Sequence, residues 1–171
     1  MDRAEDLIRL LHLQPLVIEG GYYIETYRST GQVQSSALPA VYGGPRTFMT
    51  AIYYLLTADT FSGMHRLPSD EMFHFYQGDP VEMLQLRPDG SGEVRMIGTN
   101  LQAGMRPQVL VPGGVWQGCR LAAGGRWALM GVNVAPGFEF ADFESGSRTK
   151  LAAQYPAFAD LIKELTAKDR G

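Results

Sequence analysis

Short apolar or alternating runs, each closed by a glycine-rich turn and with no helical period between them, restrict this chain more than any other feature. The runs are FMTAIYYLLT (48–57), EMFHFY (71–76), VEMLQLR (81–87), EVRMI (93–97), QVLVP (108–112), VWQGCRL (115–121) and RWALMGVNV (126–134), and the turns between them read GDP, PDGSG, PGG and AAGG. A further strand, YYIETYR (22–28), follows the Gly20-Gly21 turn signal. Parallel strands need crossover helices, for which these intervals leave no room. The expected fold is therefore all-β: an antiparallel β-sandwich or barrel of the jelly-roll kind.

Helical patterning is confined to the ends. Leu7, Leu10 and Leu11 fall on one face behind the capping-box spacing of Asp2 and Glu5, which predicts a short helix over about 3–12. Near the C-terminus, Pro156 suits a first helical turn, and Phe158, Leu161, Ile162 and Leu165 form an apolar stripe, so a helix over about 150–167 is expected against the outside of the barrel. Residues 29–46, rich in Ser, Gly and Pro, are expected to form a long loop of the kind tied to function or mobility. With 171 residues the chain holds one core, and a single domain is expected with its barrel over about 20–145.

A formal charge of -3 provides no clustered cationic surface, which argues against nucleic acid as a partner. One cysteine, Cys119, excludes an internal disulfide and any CxxC site. The acidic N-terminal stretch has no signal-peptide pattern, and no run is long and apolar enough to span a membrane. A cytoplasmic protein with no membrane partner is expected.

Candidate chemistry concentrates in MHRLPSDEMFHFYQG (64–78), which holds His65, Glu71 and His74 of a chain with three histidines. Alternation puts Glu71, Phe73 and Phe75 on one face and Met72, His74 and Tyr76 on the other. If the two phenylalanines face the interior, Glu71 enters an apolar cavity, where its charge needs a partner. His65 is the candidate, while His74 points away, toward the surface or another subunit.

The spacing of His65, Glu71 and Gly78, followed by PGGVWQ with Pro112 and Gly114, resembles the two motifs of the cupin superfamily. The blocks EGGYYIETYRS, TAIYYLL, HRLPSDEMFHFYQGDP and NVAPGFEFADFE resemble, more narrowly, the cupin subgroup described as a domain of unknown function. The resemblance implies a jelly-roll barrel and, in metal-binding members, three histidines and a glutamate as ligands. Here His65 and Glu71 stand at two of those positions, but Leu67 and Gln117 stand at the other two, Leu121 replaces the motif asparagine, and Arg106 replaces the opening glycine. A neutral amide is a weak ligand for Fe, Mn or Zn. No cofactor is expected; a divalent metal, if bound, would rest on His65, Glu71 and Gln117.

That set implies acid-base chemistry of the kind used by metal-free sugar epimerases of the superfamily. His65 is read as catalytic base and Glu71 as the group that orients it, with the imidazole on a strand neighbouring the carboxylate and the amide of Gln117 across the gap. Arg66, Gln117, Tyr23, Arg28 and Tyr54 are read as substrate-binding, the tyrosines, with Tyr27, at the pocket mouth or, as is commoner for aromatics on strands, in the core, and the arginines as clamps for an anion; for Arg66 an ion pair with Asp70 is the equal alternative. Glu25 is a second acid-base group or a solvated edge residue, Cys119 a small buried hydrophobe, and His12 a cation ending the first helix. APGFEFADFE (135–144) is read as a packing edge or dimer contact, and the GGYYIETYRS strand as exchangeable between protomers of an isologous homodimer.

The functional expectation is a small-molecule-binding protein, an isomerase or epimerase acting on a sugar-like or small acidic substrate. Its alternatives are a binding or storage protein without catalysis and a metal-dependent enzyme.

Overall fold

The computed structural model describes residues 3–167. Nine principal strands carry the fold: β1 (Tyr22–Arg28), β2 (Thr50–Thr57), β3 (Ser62–Arg66), β4 (Asp70–Gly78), β5 (Val81–Leu86), β6 (Gly92–Ile97), β7 (Gln108–Val111), β8 (Trp116–Leu121) and β9 (Trp127–Ala135). They form two antiparallel sheets. The first runs β1-β2-β9-β4-β7, with Gln14–Pro15 as a two-residue edge, and the second runs β3-β8-β5-β6, edged by Glu144–Ser145. The chain passes repeatedly from one sheet to the other, as in Gly78-Asp79-Pro80 between β4 and β5, and this interleaving makes the sandwich a jelly roll.

Alternation decides which side chains fill the space between the sheets. Tyr54, Phe73, Val109, Ala128 and Met130 of the first sheet meet Val81, Met83, Ile97 and Cys119 of the second. Phe75 packs against this core beside Phe73, so the inward face of β4 is the one alternation selects.

Two outer faces are covered by helices. Helix α1 (Arg3–Leu10) lays Ala4, Leu7 and Ile8 against Leu55, Trp127 and Leu129. His12 follows it in the left-handed region at φ 54°, where the chain turns back so that the Leu13 amide reaches Ile8 O; Asp2 of the expected capping box lies outside the described residues. At the other end the expected single helix is two, α2 (Arg148–Gln154) and α3 (Ala159–Glu164), joined by the 3-10 turn Pro156–Phe158. The ring of Pro156 disfavours helical backbone at Tyr155, which sits at φ -125°, ψ 65°. Ile162 and Leu165 are buried with Met64, Leu84 and Leu86, and Phe158 and Leu161 pack beside them.

The strand β3 is not among those the sequence signals. Ser62-Gly63-Met64-His65-Arg66 contains no β-branched or aromatic residue and so carries little local strand signal. Pairing with β8 supplies what propensity does not, with Gln117 opposite His65 and Cys119 opposite Ser62. The long loop is also more ordered than its composition predicts. Gln32–Val33 pairs with Arg46–Thr47, and Arg46 grips Asp142 with two nitrogens, Nε to Oδ2 at 2.7 Å and Nη2 to Oδ1 at 2.5 Å.

Candidate functional site

An apolar chamber of about 300 Å³ opens between the sheets. Leu16, Ile52, Phe73, Val132, Val134 and Phe138 form much of its wall, and its charged members are Glu19, Glu25, Arg28, His65 and Glu71.

His65, Glu71 and Gln117 are brought together at one end. Gln117 and His65 are direct partners across β8 and β3, while Glu71 projects from β4 in the facing sheet, between Val111 and Val134. The imidazole and the amide are thus the neighbours and the carboxylate comes from across the gap, the reverse of the expected arrangement. All three are nearly inaccessible: His65 is 1%, Glu71 5% and Gln117 0% exposed. The Gln117 Nε2 lies 2.9 Å from His65 Nε2 and 3.3 Å and 3.5 Å from the two Glu71 oxygens. His65 Nδ1 is 2.8 Å from Gly63 O, which fixes a proton on Nδ1 and leaves Nε2 facing the Gln117 amide. Phe143 stacks on the imidazole with centroids 4.8 Å apart.

A fourth member, Glu19, was not among the residues singled out from the sequence. Glu19 lies just before Gly20 and Gly21, at φ 115° and 69°, and a Cβ on Gly20 would stand 2.0 Å from Phe61 O. Only glycine permits this tight return, which sends the Glu19 side chain into the chamber. There Oε1 accepts the Ser62 hydroxyl at 2.6 Å and Oε2 lies 3.8 Å from His65 Nε2, close to the 3.9 Å that separates Nε2 from Glu71 Oε2. A carboxylate at the end of the apolar run Leu16-Val17-Ile18, beside a double glycine, was the available clue.

Electrostatics follow from this geometry. Burial opposes a charge on His65, but Glu19, Glu71 and the Gly63 carbonyl outweigh it and raise the imidazole pKa from 6.5 to about 9. Burial also raises the Glu19 carboxyl above its ordinary range, against the pull of His65 and Ser62. Gln117 Oε1 is buried with no hydrogen-bond partner among the described residues. As placed, the amide gives N–H to a neutral imidazole; rotated half a turn, it offers that oxygen to Nε2–H of the charged one.

Tyr54 belongs to the buried base of the chamber and not to its mouth, with its hydroxyl donating to Gly20 O at 2.9 Å and its pKa raised well above normal by burial. Tyr23, opposite Tyr54, and Glu25, opposite Ile52, also line the chamber. A bulge between Glu25 and Tyr27 then resets the alternation, so that Arg28 and not Tyr27 shares the chamber face with Thr50. Arg28 is already committed: Nε and Nη2 hold Glu25 at 3.0 Å and 2.9 Å, Nη1 holds Glu139 at 2.8 Å, and Nη2 also reaches Phe138 O.

Arg66 is not brought to the chamber. Adjacent to inward-facing His65, it points out, pairs with Glu144 at 2.7 Å rather than with Asp70, and lies over the Trp116 ring at 4.5 Å. Asp70 instead accepts the Gly113 amide at 2.8 Å. His74 faces away from Glu71, as alternation requires, with Nδ1 3.3 Å from Gln108 Nε2. Cys119 is buried in the core with its pKa raised by burial, an unreactive thiol.

The APGFEFADFE segment contributes more than an edge. Phe138 and Phe140 line the chamber, Phe143 covers His65, and the Phe138 amide is tied to Thr50 Oγ1 at 3.0 Å. The GGYYIETYRS strand is paired within its own chain, to β2.

A family model described as "Cupin superfamily (DUF985)" matches residues 5–146. A hypothetical protein from Leishmania major is 32% identical and superposes with a TM-score of 0.86, covering 96% of this chain and 99% of the other. Protein SO0799 from Shewanella oneidensis is 36% identical with a TM-score of 0.85, over 97% and 98% of the two chains. Protein YML079W of Saccharomyces cerevisiae is 32% identical over 133 residues, which make up 72% of this chain and 66% of the yeast protein.

Proposed function

The chain belongs to the cupin superfamily, in the group described as DUF985, and from that premise we propose that its barrel binds a small organic molecule and moves a proton on it through His65. The observation that carries this reading is the position of His65. Its Nε2 sits at the inner end of an apolar chamber, oriented through Nδ1 by Gly63 O and flanked by Glu71, Glu19 and the amide of Gln117. An imidazole so held can take and return a proton, Glu71 and Glu19 favour its charged form, and the two ends of the Gln117 amide answer both of its states. An isomerase or epimerase reaction, in which a C–H proton is removed and replaced, uses these parts alone.

A metal-independent reaction is part of the proposal. The residues fit a cupin-type metal poorly. Leu67 supplies no ligand atom, and the Nε2 that would face an ion lies 2.9 Å from the Gln117 amide instead. Among the described residues no three of His, Cys, Asp and Glu are grouped to hold a metal ion.

Solvent exchange tests the reading even while the substrate is unidentified. In D₂O the protein should place deuterium on a carbon of a bound compound, followed by mass spectrometry across a metabolite mixture, and His65→Ala should abolish this while retaining a cooperative melt. Equal deuteration by the variant would overturn the role of His65. A homodimer in a reducing, cytoplasmic setting completes the proposal; light scattering measures the first. No described helix is long and apolar enough to cross a membrane.

A further inference from the structure

We propose that the ligand of this chamber is a small amine, an apolar body carrying one protonated nitrogen, and not an acid; the inference rests on the reading that the chamber binds a small molecule. Three observations lead to it. The first is charge: Glu19 and Glu71 both face His65, so with both carboxyls ionised even a charged imidazole leaves the inner end one formal negative charge in surplus. An ammonium group neutralises that end, whereas a ligand carboxylate would add a second negative charge inside an apolar wall, where Coulomb repulsion is weakly screened.

The second is hydrogen bonding. With the imidazole neutral and the amide as placed, the donors at the inner end are used within the protein: Ser62 on Glu19, Tyr54 on Gly20 O, the Gln117 amino group between His65 and Glu71, and His65 Nδ1 on Gly63 O. The acceptors are not. Glu71 receives only the long contacts from Gln117, although a carboxylate can accept about four hydrogen bonds. The buried Gln117 Oε1 beside it receives none among the described residues. Buried acceptors left without donors are costly, and a ligand bearing several N–H groups removes that cost.

The third is the absence of an anion clamp. Arg28 is the one guanidinium among the residues that form the chamber, and four of its five N–H donors are taken by Glu25, Glu139 and Phe138 O. Arg66, which the sequence offers as a second clamp, lies outside. A chamber of about 300 Å³ is near the lower bound for ligand sites, which limits the apolar body to roughly one six-membered ring.

Cyclohexylamine, cyclohexanol and cyclohexanecarboxylate share one shape and differ in the head group, so calorimetric titration of the three into the full-length protein at pH 7 separates the possibilities. The amine should bind at least about ten-fold more tightly than the acid, with the alcohol between them. Glu19→Gln and Glu71→Gln should each weaken the amine by about ten-fold and leave the alcohol within about two-fold. Binding of the acid as tightly as the amine, or an amine affinity indifferent to both substitutions, overturns this inference alone. Failure of all three compounds to bind at millimolar concentration overturns the small-molecule reading together with it.

Discussion

The Arg46–Asp142 latch and the His65 cluster both place opposite charges where water hardly reaches, yet they differ in how fully those charges are answered. Arg46 gives two bonds to Asp142, further ones to the carbonyls of Tyr42 and Pro45, and lies over the Tyr42 ring at 5.6 Å. Four of the five N–H donors of the guanidinium are taken, and the result ties the long loop to the segment that carries Phe138, Phe140 and Phe143 over the chamber. His65 instead shares two carboxylates at 3.8 Å and 3.9 Å and one amide that cannot satisfy all of them at once. A completed network holds structure; an incomplete one, able to exchange protons or partners, is where chemistry or binding resides.

The largest expected effect breaks the completed side of this contrast. Asp142→Ala leaves Arg46 buried and charged without its partner and should cost about 3 kcal/mol in urea unfolding, the low end for a broken buried pair because the Tyr42 and Pro45 carbonyls still accept from the guanidinium. An unchanged midpoint would remove the latch from the structural account.

Next comes pH. The folded pKa of His65, about 9, is above its ordinary 6.5, so the charged imidazole stabilises the fold fully below pH 6.5 and this contribution is lost as pH rises through 9. The raised Glu19 carboxyl has the same sign, its contribution being complete below 4.5 and lost as pH rises through its elevated folded value. Wild-type stability should therefore fall between pH 6.5 and 9 by on the order of 2 kcal/mol, and His65→Ala should flatten that slope. Parallel slopes for the two proteins in chemical denaturation would contradict the assignment.

Glu71→Gln sharpens the comparison within the cluster. Removing that carboxylate should lower the His65 pKa by about one unit, read from its imidazole resonances in an NMR titration. An unmoved titration would leave Glu19 as the dominant partner. The smallest effect is expected at Arg66→Ala. Its ion pair with Glu144 is solvent-exposed, so stability should change by less than about 1 kcal/mol and ligand affinity not at all.

Much of the architecture was legible because it is local or periodic. Alternation on β4 placed Glu71, Phe73 and Phe75 inward and His74 outward, and the glycine turns separated the strands. The convergence of His65, Glu71 and Gln117 followed from the resemblance to the cupin motifs, although not which sheet each side chain comes from. What escaped has a common cause. The strand β3 exists because β8 pairs with it, and its bulge keeps Ser62, three residues from His65, on the same inward face, where strict alternation would set the two apart. A second bulge, after Glu25, exchanges Tyr27 for Arg28 on the chamber face, and only then do Glu25 and Glu139 consume the guanidinium that looked free.

The order of side chains along the strands and the turns between them determined a two-sheet barrel with a carboxylate and an amide on its inward faces, because a period of two is a property of the backbone itself. Which further charges face that group was decided only when the sheets closed. Glu19 enters through a double-glycine return and Arg28 through a shifted register, and both depend on hydrogen bonds between segments far apart in the chain, whose energy no local stretch of sequence contains.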